Sequence, residues 1–149
     1  MNSIKNIRLK DYDYSTNGYY FVTIMTDYRK PYLLDHHDMV KSAVENINDH
    51  GGVKVDYYTL MRNHLHLILI LEVCQLKLGE IVRRFKAVTS KKVGFRLWQP
   101  NYYEHVIRNE RALAKIREYI INNPLVERVE FDGFYKDDGG QADKLDDKS

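Results

Sequence analysis

Cys74 is the only cysteine in the sequence. A lone thiol excludes an intrachain disulfide and any zinc cluster built from several thiolates. No apolar run comes near the roughly 20 residues a helix needs to cross a bilayer. The first residues do not follow the pattern of a secretory signal. These absences lead to the expectation of a cytoplasmic protein with no membrane partner. Charge of one sign is also scarce, since the net charge is only +2. It is unevenly placed, however. Residues 136–149 hold three lysines and five aspartates, a net of −2 that leaves +4 for residues 1–135. The expected organisation is one folded domain over 1–135 and an acidic, disordered tail over 136–149. A modestly basic body permits nucleic-acid binding without proving it.

What the chain does have is a stretch around which the rest is arranged: VKVDYYTLMRNHLHLILIL, residues 53–71. Residues 64–71 read as a buried strand, short and apolar after an Asn-containing turn. Side chains alternate along a strand. Leu65, Leu67, Leu69 and Leu71 therefore share one face, and His64, His66, Ile68 and Ile70 share the other. Residues two apart lie roughly 7 Å from each other. Two imidazoles so placed can converge on one ion, or can simply be partly buried and hydrogen-bonded. The leucine face needs covering by other elements, and the histidine face looks toward whatever chemistry there is.

Elsewhere, residues 2–17 read as an arm and 19–26 as a strand of β-branched and aromatic residues. A loop with Pro31 precedes a helix over 35–48, with Asp35 as its N-cap. His36 and His37 fall in its first turn and are expected at the surface. His50-Gly51-Gly52 ends that helix, and strand 53–61 turns at Arg62-Asn63 into the histidine strand as a hairpin. A second helix spans 76–94. Its apolar stripe is Leu78, Ile81, Val82, Phe85 and Val88. Arg83, Arg84, Lys86, Lys91 and Lys92 oppose the single acid Glu80, an imbalance that suits contact with phosphate. A fourth strand covers 102–107, and Asn109 caps a third helix that Pro124 stops. Leu113, Ile116 and Ile120 form its buried stripe. At 100° per residue Tyr119 and Asn123 share one shoulder of that stripe, within about 40° of each other. Residues 126–134 are expected to return briefly to the domain. The order β-α-β-β-α-β-α predicts an α+β fold: a ferredoxin-like antiparallel sheet with two helices on one face and an added C-terminal, tyrosine-bearing helix.

Four blocks carry a family resemblance: YDYS with GYYFVTIMT (12–15 and 18–26), MRNHLHL (61–67), WQPNYYEHVIRN (98–109) and IREYIINNP (116–124). In this order they resemble the HUH single-tyrosine transposases, and most closely the REP-associated tyrosine transposases. His64-Leu65-His66 is the His-hydrophobic-His signature. The resemblance implies that His64 and His66 bind a divalent cation, Mg²⁺ or Mn²⁺. It implies that Tyr119 is the nucleophile and that Asn123 is the third ligand, with Asn122 the alternative if the helix end is distorted. It also implies DNA as partner, single-stranded or hairpin-bearing, cut and rejoined through a 5′-phosphotyrosine. Arg62 stands where relatives commonly have proline.

The chemistry suits the residue types. A tyrosine hydroxyl has an ordinary pKa near 10 and needs activation. A metal on the scissile phosphate stabilises developing charge. Arg108 is a further candidate for phosphate, as are Arg111 and Arg117, although Arg117 could instead pair with an acid. Glu104 and His105 could line the site or serve structure and DNA contact. Two other functions stay open: a domesticated hairpin-DNA-binding protein without the reaction, and a metal-dependent hydrolase using water. The sequence leaves open monomer or homodimer.

Overall fold

The computed structural model describes residues 17–136. The arm before residue 17 and the tail after Lys136 lie outside the described residues. Four strands form one antiparallel sheet: β1 (Gly18–Met25), β2 (Val53–Leu60), β3 (His64–Leu71) and β4 (Tyr103–Ile107). Their spatial order is β2-β3-β1-β4. Three helices complete the fold: α1 (His37–Glu45), α2 (Leu78–Val93) and α3 (Glu110–Asn122). This is the expected α+β, ferredoxin-like arrangement.

The alternation along β3 divides the molecule. Leu65, Leu67, Leu69 and Leu71 are each at most 1% exposed and pack with Val40 and Val44 of α1 and Ile81, Val82 and Phe85 of α2. Burial this complete stabilises by about 1.5–3 kcal/mol per leucine. On the other face Phe21 and Ile68 receive Leu113, Ile116 and Ile120 of α3, together with Val129, Phe131 and Tyr135. The segment after α3 thus returns to the domain and closes the second layer.

Two local details depart from the sequence expectation. Helix α1 starts at His37, with His36 at the cap position and no side-chain cap. Asp35 has φ −87° and ψ −16°, already helical, because it ends a short 3-10 turn over Tyr32–Leu34. An N-cap needs an extended backbone, so Asp35 cannot serve. Asn109 does cap α3: it is extended, and its Oδ1 accepts from the Ala112 amide at 2.8 Å. Strand β2 carries a bulge, since Val55 pairs with Leu69 while Tyr57 pairs with Ile68. The extra residue, Asp56, bonds to a side chain of α3. Gly52 is bound to its turn by φ +86° and by the Cys74 Cα, which would lie 2.7 Å from any Cβ.

Candidate active site

His64 and His66 are each 1% exposed, and their ring centroids stand 4.8 Å apart. Each ring is held at both nitrogens. His66 Nδ1 meets the Thr23 hydroxyl at 2.7 Å, Thr23 being its register partner in β1. Its Nε2 donates to the Val126 carbonyl at 2.6 Å. His64 Nδ1 meets Asn63 Oδ1 at 2.9 Å, and its Nε2 meets the Pro124 carbonyl at 2.9 Å. Burial is the main cause holding both histidines below the ordinary imidazole pKa. It takes His66 down to about 4; for His64 the Pro124 carbonyl and the Glu127 charge oppose it. Both rings are therefore neutral at pH 7.

A neutral imidazole carries one N–H. His66 satisfies both partners, donating to Val126 and accepting from Thr23. His64 does not, because both of its neighbours are oxygens. Turning the Asn63 amide over would only set its oxygen against Glu127, to which Asn63 Nδ2 donates at 3.1 Å. A cation at His64 Nε2 would remove the mismatch while Nδ1–H stayed on Asn63. Metal-bound histidines are commonly oriented in this way through the second nitrogen. The donor set therefore fits a divalent metal, once the Pro124 and Val126 carbonyls give up their places.

Tyr119 lies half-buried on α3, its ring edge-on to Phe134 with centroids 5.4 Å apart. The helix is docked by its apolar stripe and by Arg117, which donates to both oxygens of Asp56 at 2.7 Å. Asn123 leaves helical geometry at φ −134° and ψ 56°, as the residue before a proline is kept from the helical region. Its Nδ2 donates to the Tyr119 carbonyl at 2.9 Å. The structure thus joins His64 to His66 and lays the chain just beyond the tyrosine helix across them. It turns the Asn123 side chain back onto α3. Among the described residues, no group of three or more His, Cys, Asp or Glu side chains could hold a metal.

Residues 14–123 match the family described as transposase, IS200-like. The chain belongs to the IS200-like transposases. An uncharacterized protein of Haemophilus influenzae is 38% identical over 82% of this chain and 88% of its own. The REP-associated tyrosine transposase of Escherichia coli K12 is 25% identical over 75% of this chain and 69% of its own. A solved REP-associated tyrosine transposase bound to a REP hairpin shares the fold, with a TM-score of 0.67. Its identity is 23%, over 79% of this chain and 72% of that one. Transposases of this family are generally metal-dependent.

The basic residues that this transposase carries on α2 fall on the far side of the sheet from the histidines. Arg83 and Arg84, both exposed, share the Glu80 carboxylate, with contacts of 2.6 to 2.9 Å. The two arginines hold that carboxyl down to about 2. Lys91 and Lys92 are exposed near the end of α2. Lys86 is differently employed: its ammonium donates to the carbonyls of Gln99, Pro100 and Asn101 at 2.7, 3.2 and 3.1 Å. Burial, with Arg96 nearby, lowers it to about 8. Arg108 lies over the Tyr135 ring, 4.1 Å from its centroid. His105 stacks on Phe131 at 3.8 Å and bonds the Tyr135 hydroxyl at 2.7 Å, a structural place. Glu104 is buried on the α1/α2 face, away from the histidines. Among the described residues, helices long and apolar enough to cross a membrane are absent.

Three contributors to the site were not found from sequence. Thr23 depends on strand register. Asn63 looked like a turn residue, and its place immediately before the His-Leu-His motif was the available signal. Glu127, which ties Asn63 to Arg29, lies beyond the last helix and carried no signal at all.

Proposed function

We propose that this transposase cleaves and rejoins single-stranded or hairpin-bearing DNA through a 5′-phosphotyrosine at Tyr119. His64 and His66 would hold a divalent metal through Nε2, and Asn123 would join them by rotating off the Tyr119 carbonyl. The observation that carries the reading is the pair of Nε2 atoms turned onto residues 124 and 126, immediately beyond the helix that bears Tyr119. The two neutral imidazoles favour Mn²⁺ over Mg²⁺ as the softer oxygen- and nitrogen-binding ion. When bound, such an ion polarises the scissile phosphate and stabilises its developing charge.

The chain's own residues supply the rest. Asn63 and Thr23 orient the imidazoles from behind. Residues 124–126 must withdraw for a phosphate to reach the Nε2 atoms. The Tyr119 oxygen forms a bond to phosphorus as the P–O3′ bond breaks. The phenol gives up its proton, and the 3′-oxygen leaves as a hydroxyl after gaining one. The number of phosphate ester bonds is unchanged, so rejoining to another 3′-end needs no ATP. Arg83, Arg84, Lys91, Lys92 and Arg108 would hold flanking phosphates. Because α2 lies across the sheet from the histidines, DNA touching both must pass around a sheet edge. The REP hairpin bound to the structural neighbour supports DNA as partner. Residues 1–135 form the catalytic domain in this reading.

The test is incubation with end-labelled hairpin DNA and Mn²⁺, followed by a denaturing gel. A covalent protein–DNA adduct that disappears in Tyr119→Phe is expected. Cleavage without adduct would favour a water-using hydrolase. Binding without cleavage would favour a domesticated binding protein.

A further inference from the structure

We infer that Tyr28 and Arg29 form a subsite for an unpaired nucleotide of the DNA strand beside the scissile phosphate, Tyr28 stacking on its base and Arg29 meeting its phosphate. The inference rests on the proposed DNA reaction and adds to it a single-strand contact outside the histidine–tyrosine centre.

The first observation is conformational. Tyr28 has φ +53° and Arg29 φ +55°, two successive non-glycine residues in the left-handed region. That region is unfavourable for residues with a Cβ, and bulky side chains avoid it. Strain of this kind persists where surrounding structure enforces it, and it clusters at ligand-binding sites. Here the enforcement is visible. The Thr26 amide donates to the Asn63 carbonyl at 3.0 Å, and the Thr26 hydroxyl is shared between the carbonyls of Lys30 and Asn63. Asp27 N bonds the Leu97 carbonyl at 2.9 Å, and Leu33 N the Arg62 carbonyl at 3.0 Å. The loop is fastened at both ends to the turn that precedes His64.

The second observation is that the protein gains no packing from the strained residue. Tyr28 is 82% exposed. An asparagine or glycine would adopt the same backbone with less strain. A large aromatic side chain presented to solvent from a fixed, strained position suits a ligand with a flat apolar face.

The third observation is charge. Arg29 and Lys30 follow Tyr28 in the chain, Arg62 belongs to the turn that the loop is fastened to, and all three are exposed. Arg29 is not isolated: its Nη1 lies 3.2 Å from Glu127 Oε1, while its side chain stays 66% exposed. Glu127 in turn accepts from Asn63 Nδ2, and Asn63 Oδ1 meets His64 Nδ1. One chain of contacts therefore leads from the patch to the candidate metal-binding ring. Aromatic side chains beside cations are the ordinary means of holding unpaired bases, because every base has a π face. A base paired within a duplex has no free face to offer, so the subsite selects single strand.

The experiment uses binding without chemistry. Tyr28→Trp places a reporter in the patch, and the parent protein, whose only tryptophan, Trp98, is buried at 3% exposure, serves as the control for background emission. A single-stranded oligothymidylate should quench the new tryptophan, and a blunt hairpin should not. Tyr28→Ala should weaken binding of a hairpin with an unpaired flank by roughly 5- to 100-fold and leave a blunt hairpin unchanged. Tyr28→Phe should bind like the parent. Tyr28→Gly should bind as poorly as the alanine variant while melting at a higher temperature, a combination that loss of structure would not produce. Arg29→Gln should flatten the salt dependence of the flanked hairpin by roughly one unit or slightly less. The inference is overturned if Tyr28→Ala binds the flanked hairpin like the parent, or weakens both hairpins equally, or if oligothymidylate leaves the emission of the Tyr28→Trp variant unchanged. None of these readouts requires cleavage. An absent Tyr119 adduct would refute the proposed reaction and leave the subsite to be judged by binding alone.

Discussion

Separating Arg117 from Asp56 should loosen the tyrosine helix. The pair is bidentate at 2.7 Å, with the Asp56 side chain 11% and the Arg117 side chain 40% exposed. An exposed ion pair contributes roughly 0–1 kcal/mol, and breaking a fully buried one costs roughly 3–5 kcal/mol. With one partner buried and the other partly in water, Asp56→Asn should cost about 1–2 kcal/mol. For a domain of this size that lowers the melting temperature by about 3–10 °C. The bulge at Asp56 exists on no other account that the strand pairing reveals, and β2 is an edge strand. The contacts that Leu113, Ile116 and Ile120 make with the sheet are apolar and tolerate sliding better than a fork of two hydrogen bonds. Adduct formation at saturating DNA, measured about 20 °C below the melting point, should therefore fall by at least about tenfold, since small misplacements of a reacting group are costly. Arg117→Gln should do the same, and the double variant should lose little more than either single one. Coupling below about 0.3 kcal/mol in that cycle, or an unaltered adduct rate in either variant, would refute the reasoning.

Tyr119→Phe keeps the ring that meets Phe134 and should melt like the parent while forming no adduct; a surviving adduct would transfer the role to another tyrosine, Tyr102 or Tyr103 first. His64→Ala and His66→Ala should abolish cleavage but retain most DNA affinity, compared by gel shift beside a cleavage assay, because affinity rests largely on dispersed phosphate contacts. Full cleavage by both at limiting Mn²⁺ would remove the metal. Arg83→Gln with Arg84→Gln should weaken DNA binding and its salt dependence without altering stability, whereas Lys86→Gln should lower the melting temperature, since three carbonyls of residues 99–101 lose their donor. Burial, assisted by Arg108, holds His105 down to about 3. The unfolded ring titrates near 6.5, so it takes up a proton that the folded ring refuses. Stability is thus complete above about pH 6.5 and declines as pH falls toward 3, by about 2–3 kcal/mol at pH 4.5. His105→Phe should keep the stack on Phe131 and remove that part of the acid loss, read as urea midpoints at about pH 7 and 4.5; an unchanged pH dependence would count against it.

Much of this protein was written in local pattern. Alternation between histidine and leucine in residues 64–71 forces two faces, because strand geometry has a period of two. The helical spacing of Ile81, Val82 and Phe85, and of Leu113, Ile116 and Ile120, fixed which sides of α2 and α3 face the sheet. Asn109 read correctly as a cap because a cap needs only its own helix. The sequence also placed His64, His66 and Tyr119 in an order that matched a transposase family. What remained hidden depends on groups distant in the chain. Thr23 supports His66 only through the pairing of β1 with β3. Lys86 faces carbonyls rather than solvent because the 99–101 loop crosses α2. The bulge at Asp56 and the strain at Tyr28 are set by partners roughly 60 and 35 residues away. The carbonyls of Pro124 and Val126 became histidine partners only when the end of α3 was laid across β3. Periodicity records which face of an element is apolar; it carries no record of which backbone group arrives there, and that tertiary packing alone decided.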